Sequence, residues 1–242
     1  EIASCLVGSE MCIRDRYGND TEGLFDISIY PLVKLWGFTT EKYRVPDKAE
    51  RDAVIKKIDY KKIELLPNCQ VQIPSGMAID LGAAAKGYLS QKIIDLCKEK
   101  KVTSCILSLG GNVQTIGMKP DDTEYTVGIT DPSDGSSIYG TVKVKDKAVI
   151  TSGIYQRNFK KNGKLYHHIM DKRTGMPADN NLASVTVIAE NGAMADAYAT
   201  ALSVMGEEKA IAFQKKHPQI QIILIRKDGT FYQSEKAGMI KS

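Results

Sequence analysis

Short runs of β-branched and aliphatic residues, separated by turn residues rather than by long helical stretches, recur along most of this chain. SCILSLGGNVQTIG (104–117) reads as a strand, a Gly-Gly turn and a second strand. YTVGI (125–129), YGTVKV (139–144), AVIT (148–151) and SVTVIA (184–189) read as further strands. IELL and VQI (63–73) fit two short strands around a Pro67-Asn68 turn, and QIQIILI (219–225) with TFYQ (230–233) fits a closing hairpin. Strands joined by tight turns run antiparallel, because a parallel pair needs a long crossover. Helical periodicity is confined to a few segments. GLFDISIYPLVKLWGF (23–38) reads as a turn, a short strand and a helix opened by Pro31, whose missing N–H costs nothing at a first helical position. KAERDAVIKKID (48–59) reads as a charged surface helix with Ala49, Val54, Ile55 and Ile58 inward. MAIDLGAAAKGYLSQKIIDLCKEK (77–100) reads as a strand running into a helix, with Leu89, Ile93 and Leu96 on one face and Lys86 at its start. A further helix spans 193–205. The expected fold class is α+β, with mostly antiparallel sheets and packed helices.

No repeat, low-complexity tract or linker divides the sequence, so residues 17–242 are read as a single domain. Residues 1–16 (EIASCLVGSEMCIRDR) share no periodicity with the rest of the chain; they are read as a non-native or truncated start, and they carry no secretory pattern. The 33 basic and 29 acidic side chains leave a formal net charge of only +4, with no long basic run. That argues against nucleic acid and suits a small anionic ligand. The five cysteines form no CxxC pair and no zinc spacing; Cys97 and Cys105, in apolar contexts, read as buried thiols. No apolar run reaches the length of a membrane-spanning helix.

Chemistry concentrates between Thr151 and Gly206. Two of the three histidines stand side by side at 167 and 168, and Asp196 is the one acid in AMADAYATALSVMG. Asp196 and Thr200, one helical turn apart, project two oxygens from one face, half of a hard-cation site; the alternative is a carboxylate serving a helix dipole and a hydroxyl bonded to its own helix. In IDLGAAAKG (79–87), Asp80 and Lys86 flank a small-residue helix start that suits a phosphate, or else Asp80 simply caps the helix beside a tight turn. Gly110-Gly111 and Ser152 each follow a strand; LGGN lacks the spacing of a dinucleotide fingerprint or a P-loop. Adjacent histidines in an extended segment point to opposite sides, so one can be buried while the other faces a cleft.

In order, DTEGLFDISIYPLVKLWGF, MAIDLGAAAKGYL, LSLGGNVQTIG, ITSGIYQRNF, YHHIMDKRTGMP and SVTVIAENGAMADAYATALSVMG resemble the ApbE family of FAD:protein FMN transferases, from about Asp20 to beyond Gly206. The resemblance implies a T-fold-like α+β architecture and a Mg2+-dependent reaction in which FAD is the substrate. The FMN half passes to a Ser or Thr hydroxyl of an acceptor protein through a phosphoester, and AMP leaves. Hydrolysis of FAD to FMN and AMP is the alternative reaction, and flavin binding without turnover the alternative class. By position, the resemblance places the metal on Asp196, Thr200 and the carbonyl of Ala83. It places FAD against Gly23, Leu24, Phe25, Asp26, Asp80, Lys86, His167, His168 and Ile169, with Gly110, Gly111 and Ser152 lining the same cleft. His168 is the expected general base, with an aspartate near the metal as the competitor, and Asp196 the other catalytic group. The implied acceptor is a respiratory or redox membrane protein, and the implied place is outside the cytoplasm, membrane-anchored in full-length relatives. Relatives carry a longer segment before the GLFD turn, so weaker FAD binding is expected here. Asp134-Gly135-Ser136-Ser137 begins like an acceptor motif, but Ile138 and Tyr139 break it, so no self-flavinylation is expected.

Overall fold

All eight residues of LASVTVIA (Leu182–Ala189) are buried. A strand with no solvent face needs cover on both sides. The computed structural model describes residues 15–67 and 70–242; most of the 1–16 segment, Asn68 of the expected turn, and Cys5, Cys12 and Cys69 lie outside the described residues. The chain groups into two units, one of residues 15–83 with Arg157–Asp179, the other of Ala84–Gln156 with Asn180–Ser242.

The second unit supplies that cover. Its strands are β1 (Cys105–Leu109), β2 (Asn112–Ile116), β3 (Tyr125–Thr130), β4 (Ile138–Val144), β5 (Ala148–Gly153), β6 (Leu182–Ala189), β7 (Gln221–Arg226), β8 (Phe231–Gln233) and β9 (Ile240–Lys241). Its helices are α1 (Ala85–Glu99), α2 (Gly192–Met205) and α3 (Glu207–Lys216). Six strands form one sheet in the order β8-β7-β6-β5-β2-β1, and every neighbouring pair is antiparallel. β9-β4-β3 form a second antiparallel sheet. The expected α+β class and its closing hairpin, β7–β8, are therefore present.

Alternation along β5 and β6 sorts the two faces. Val149, paired with Ile188, enters an apolar core with Ile223, Ile225 and the inward residues Val127, Ile129, Val142 and Val144 of the second sheet. Ile150 and Ser152 take the opposite face, where α2 packs against β5 and β6. Twelve residues of α2 are buried, including Ala193, Ala195, Ala197, Ala199 and Ala201. A helix that is apolar and small all round belongs inside. Asn191 starts it, accepting the Met194 N–H at 2.9 Å.

α1 turns a different face inward from the one its leucine spacing predicts. Leu89 and Leu96 are 50% and 53% exposed, whereas Gly87, Tyr88, Ser90 and Ile94 are buried. The reason is a close helix contact built on glycine. A Cβ on Gly87 would stand 2.4 Å from the Gly192 carbonyl oxygen and 2.5 Å from Asp196 Cβ. That contact fixes the rotation of α1 and leaves the leucines outside. Cys97 and Cys105 are half-buried free thiols rather than buried ones.

In the first unit two expected strands are absent. Ile27–Ile29 is a 3-10 helix, because Asp26 accepts both the Ser28 N–H (2.9 Å) and the Ser28 hydroxyl (2.6 Å) and so bends the backbone locally. Residues 77–80 form no strand; Asp80 N–H donates only to the Ile27 carbonyl, at 2.7 Å. The helix Tyr30–Leu35 does open around Pro31. Lys48–Ile55 is a helix with an Asp47/Glu50 capping box and no buried residue; Ala49 is exposed, and Ile58 is buried just beyond it. Glu64–Leu66 and Gln70–Gln72 pair as expected. An unforeseen hairpin pairs Asn158–Lys161 with Lys164–His167 across Asn162 and Gly163, both at positive φ. Leu32, Val33, Trp36, Phe38, Ile58 and Met170 make the unit's core, and Trp36 Nε1–H donates to the Gly175 carbonyl at 2.9 Å.

Candidate functional site

Asp196 is a buried carboxylate of the second unit. It projects from the first half of α2 and is 5% exposed. Its Oδ2 accepts the Gly87 N–H at 2.8 Å and the Asn112 side-chain N–H at 3.1 Å. Gly87 lies in the first turn of α1, whose N-cap, Ala84, has no side chain able to cap. Asp196 therefore supplies from a neighbouring helix the acceptor that α1 lacks, next to the positive end of its dipole. Burial pushes the Asp196 carboxyl up to about 6, against the opposing pull of the Gly87 N–H, the Lys86 charge and the Asn112 amide.

Thr200 sits one turn further along the same face of α2, half-buried. Its Oγ1 lies 3.3 Å from Ser152 Oγ, which β5 presents to the helix side of the sheet. So three of the expected residues, Asp196, Thr200 and Ser152, gather on the helix-facing side of this unit. The donor set fits a hard divalent cation, which takes oxygen ligands. A buried carboxylate whose ionised form is penalised by desolvation gains from such a charge. Among the described residues no three His, Cys, Asp or Glu side chains cluster to hold a metal, so hydroxyl or carbonyl oxygens would have to complete the shell. Lys86 is exposed in the first turn of α1. Gly110 and Gly111 form the β1–β2 turn at φ +55° and +91°, with open space where side chains would stand.

The first unit holds the remaining expected residues. Gly23 (φ +79°) turns the chain into Leu24 and the buried Phe25 and Asp26. The Asp26 carboxylate is fully engaged: Oδ1 takes Ser28, and Oδ2 takes Lys172 Nζ at 2.6 Å and the Tyr60 N–H at 3.4 Å. Asp80 Oδ1 accepts the Gly82 N–H at 2.7 Å, a local turn bond. Ala83 ends the first stretch of this unit. The two histidines divide as opposite-facing neighbours should. His167 is buried, with Nε2 3.1 Å from the Ala178 carbonyl, and Ile169 is buried too. His168 is half-buried, with Nδ1 3.2 Å from the Arg157 carbonyl. A carbonyl only accepts, so Nδ1 is the donor in the His168 contact.

Sequence reasoning missed three of these contacts. Gly87 and Asn112 reach Asp196 across 109 and 84 residues, and Lys172 reaches Asp26 across 146. The only local signal was Asn112 closing the LGGN turn.

The sequence profile of the ApbE family matches residues 12–224. A curated relative from Klebsiella pneumoniae (strain 342), named FAD:protein FMN transferase, is 36% identical over 210 residues, covering 86% of this chain and 65% of its own. One of the same name from Treponema pallidum (strain Nichols) is 34% identical, covering 88% of this chain and 63% of its own. The chain thus spans less than two thirds of either relative. Among solved structures, the Thermotoga maritima ApbE protein superposes with a TM-score of 0.86 at 32% identity, over 97% of this chain and 76% of that one. The flavin transferase ApbE from Vibrio cholerae superposes with a TM-score of 0.78 at 30% identity, over 92% of this chain and 72% of that one. With its profile matched over most of its length and its fold shared with these structures, the chain belongs to the ApbE family.

Proposed function

We propose that this chain moves the FMN half of FAD onto a Ser or Thr hydroxyl of an acceptor protein. One phosphoanhydride bond breaks, one phosphoester forms, AMP leaves and the hydroxyl proton is taken up by a base. The observation that carries the reading is the Asp196 carboxylate, buried, held on one oxygen by two neutral donors and followed one turn later by a hydroxyl. Storage of a flavin needs no such group. Asp196 and Thr200 would hold Mg2+, with the Ala83 carbonyl that the resemblance adds. When bound, the ion would offset pyrophosphate charge and favour departure of AMP.

The chain's own residues do the rest. Lys86, exposed at a helix start, offsets phosphate charge, and the first-turn N–H groups of α1 favour an anion. The open Gly110-Gly111 turn and Ser152 give a ligand close access to backbone and hydroxyl. In the first unit, Gly23, Leu24, Phe25, Asp26, Asp80, His167, His168 and Ile169 carry the flavin-binding proposal. His168, whose Nδ1 faces the Arg157 carbonyl, takes up the acceptor's proton as the general base. The acceptor is proposed to be a redox protein of a membrane, met outside the cytoplasm. Among the described residues no helix is long and apolar enough to cross a membrane.

The test is incubation with FAD, Mg2+ and a peptide carrying a Ser/Thr flavinylation motif. Covalently fluorescent peptide with equimolar AMP supports transfer. AMP and FMN released equally well without peptide would replace transfer by hydrolysis. No AMP under either condition would end the enzymatic reading.

A further inference from the structure

Asn112 is buried to 1% exposure, in the first position of β2, immediately after the Gly110-Gly111 turn. A buried carboxamide at the end of a strand needs a partner, and this one donates to Asp196 Oδ2. Two residues on, Gln114 occupies the same helix-facing side of β2. Its Nε2–H donates to Gln91 Oε1 at 2.7 Å, and that oxygen also accepts the Gly192 N–H at 2.8 Å. The strand is thereby tied to α1 through Gln91 and to the start of α2 through Gly192, so the Asn112 side chain meets Asp196 from a fixed platform.

We infer, resting on the metal-site reading above, that Asn112 is a positioning residue that sets the Asp196 carboxylate for its cation. The terminal torsion of an aspartate is broad and roughly two-fold, so burial alone does not orient the group. Two donors on one oxygen, Gly87 N–H and Asn112 Nδ2–H, do orient it, and both bonds fall on Oδ2, leaving Oδ1 outside them. The chemical type matters as well. A lysine or arginine here would also donate, but its charge would neutralise Asp196 and repel a divalent ion. A carboxamide fixes the acceptor while leaving its charge for the metal. Hydrogen-bond partners of metal ligands typically contribute about 10–100-fold in affinity.

The test is Mn2+ binding, followed by electron paramagnetic resonance of the free ion, with and without FAD. The full chain is compared with Asn112→Leu, Asn112→Ala and Asp196→Ala. The expected result is loss of binding in Asp196→Ala and, in both Asn112 variants, binding weakened by about 10–100-fold. Thermal melts of the apo proteins establish that each is folded; Asn112→Ala, which removes the donor without adding bulk, decides if the leucine variant fails. Wild-type Mn2+ affinity in a folded Asn112 variant, with binding still lost in Asp196→Ala, overturns the positioning role and leaves the metal site standing. Unchanged binding in Asp196→Ala overturns both.

Discussion

Replacing Asp196 by Asn removes a charge from a place where the protein resists it, and the effect depends on pH in one direction only. Burial raises the Asp196 carboxyl to about 6. The gap from the unperturbed value near 3.9 is roughly two units, or about 3 kcal/mol. Between these two values the folded state holds a proton that the unfolded state has released. The contribution of Asp196 to the stability of the metal-free protein is therefore full below about pH 4 and is lost as pH rises through about 6. Asparagine keeps an oxygen for Gly87 N–H and Asn112 and never ionises. Asp196→Asn should thus match wild type near pH 4 and exceed it above pH 7 by up to about 3 kcal/mol, a melting-temperature gain of roughly 6–12 °C for a chain of this size. The assay is thermal unfolding from pH 4 to 8 in chelator. A difference between the two proteins that stays flat from pH 4 to 8, or that shrinks as pH rises, would refute the reasoning. Mg2+ at about 100 times its dissociation constant should return about 2.7 kcal/mol to the wild type at pH 7.5 and nothing to the variant.

Gly87→Ala forces a methyl against the Gly192 carbonyl and Asp196 Cβ; urea unfolding should show a loss of about 1–3 kcal/mol. Lys172→Met leaves Asp26, whose side chain is 1% exposed, without its ion-pair partner, and should cost about 3 kcal/mol by the same measurement. The two histidines should separate cleanly. His167→Ala lowers the melting temperature by removing the bond to the Ala178 carbonyl, whereas His168→Ala leaves the melt nearly unchanged and slows flavin transfer by about 10²–10⁴-fold.

The sheets were legible where turn chemistry and alternation agreed. The Gly-Gly turn between β1 and β2 and the strand β6 are visible as letters, although the burial of β6 on both faces is not. The Asn162-Gly163 hairpin was not seen, because Lys160, Lys161 and Lys164 break the apolar alternation around it. DISI looked like a strand by propensity, and the short-range bonds of Asp26 to Ser28 overrode it. Leu89 and Leu96 pointed to the wrong face of α1, since periodicity cannot show that two glycines bring helices together. At the site, a lone acid in an alanine-rich helix announced itself. Its partners did not, because Gly87 and Asn112 are ordinary letters until the chain folds back over roughly a hundred residues.

The carboxylate that closes the first turn of α1 is also the one we propose as a cation ligand. Any ion that draws electron density from Asp196 must loosen its hold on the Gly87 amide, so occupancy is written into the opening rate of a backbone N–H. On that proposal the protein carries its own gauge: deuterium uptake at Gly87 would report whether a cation sits on Asp196, without a label and without turnover.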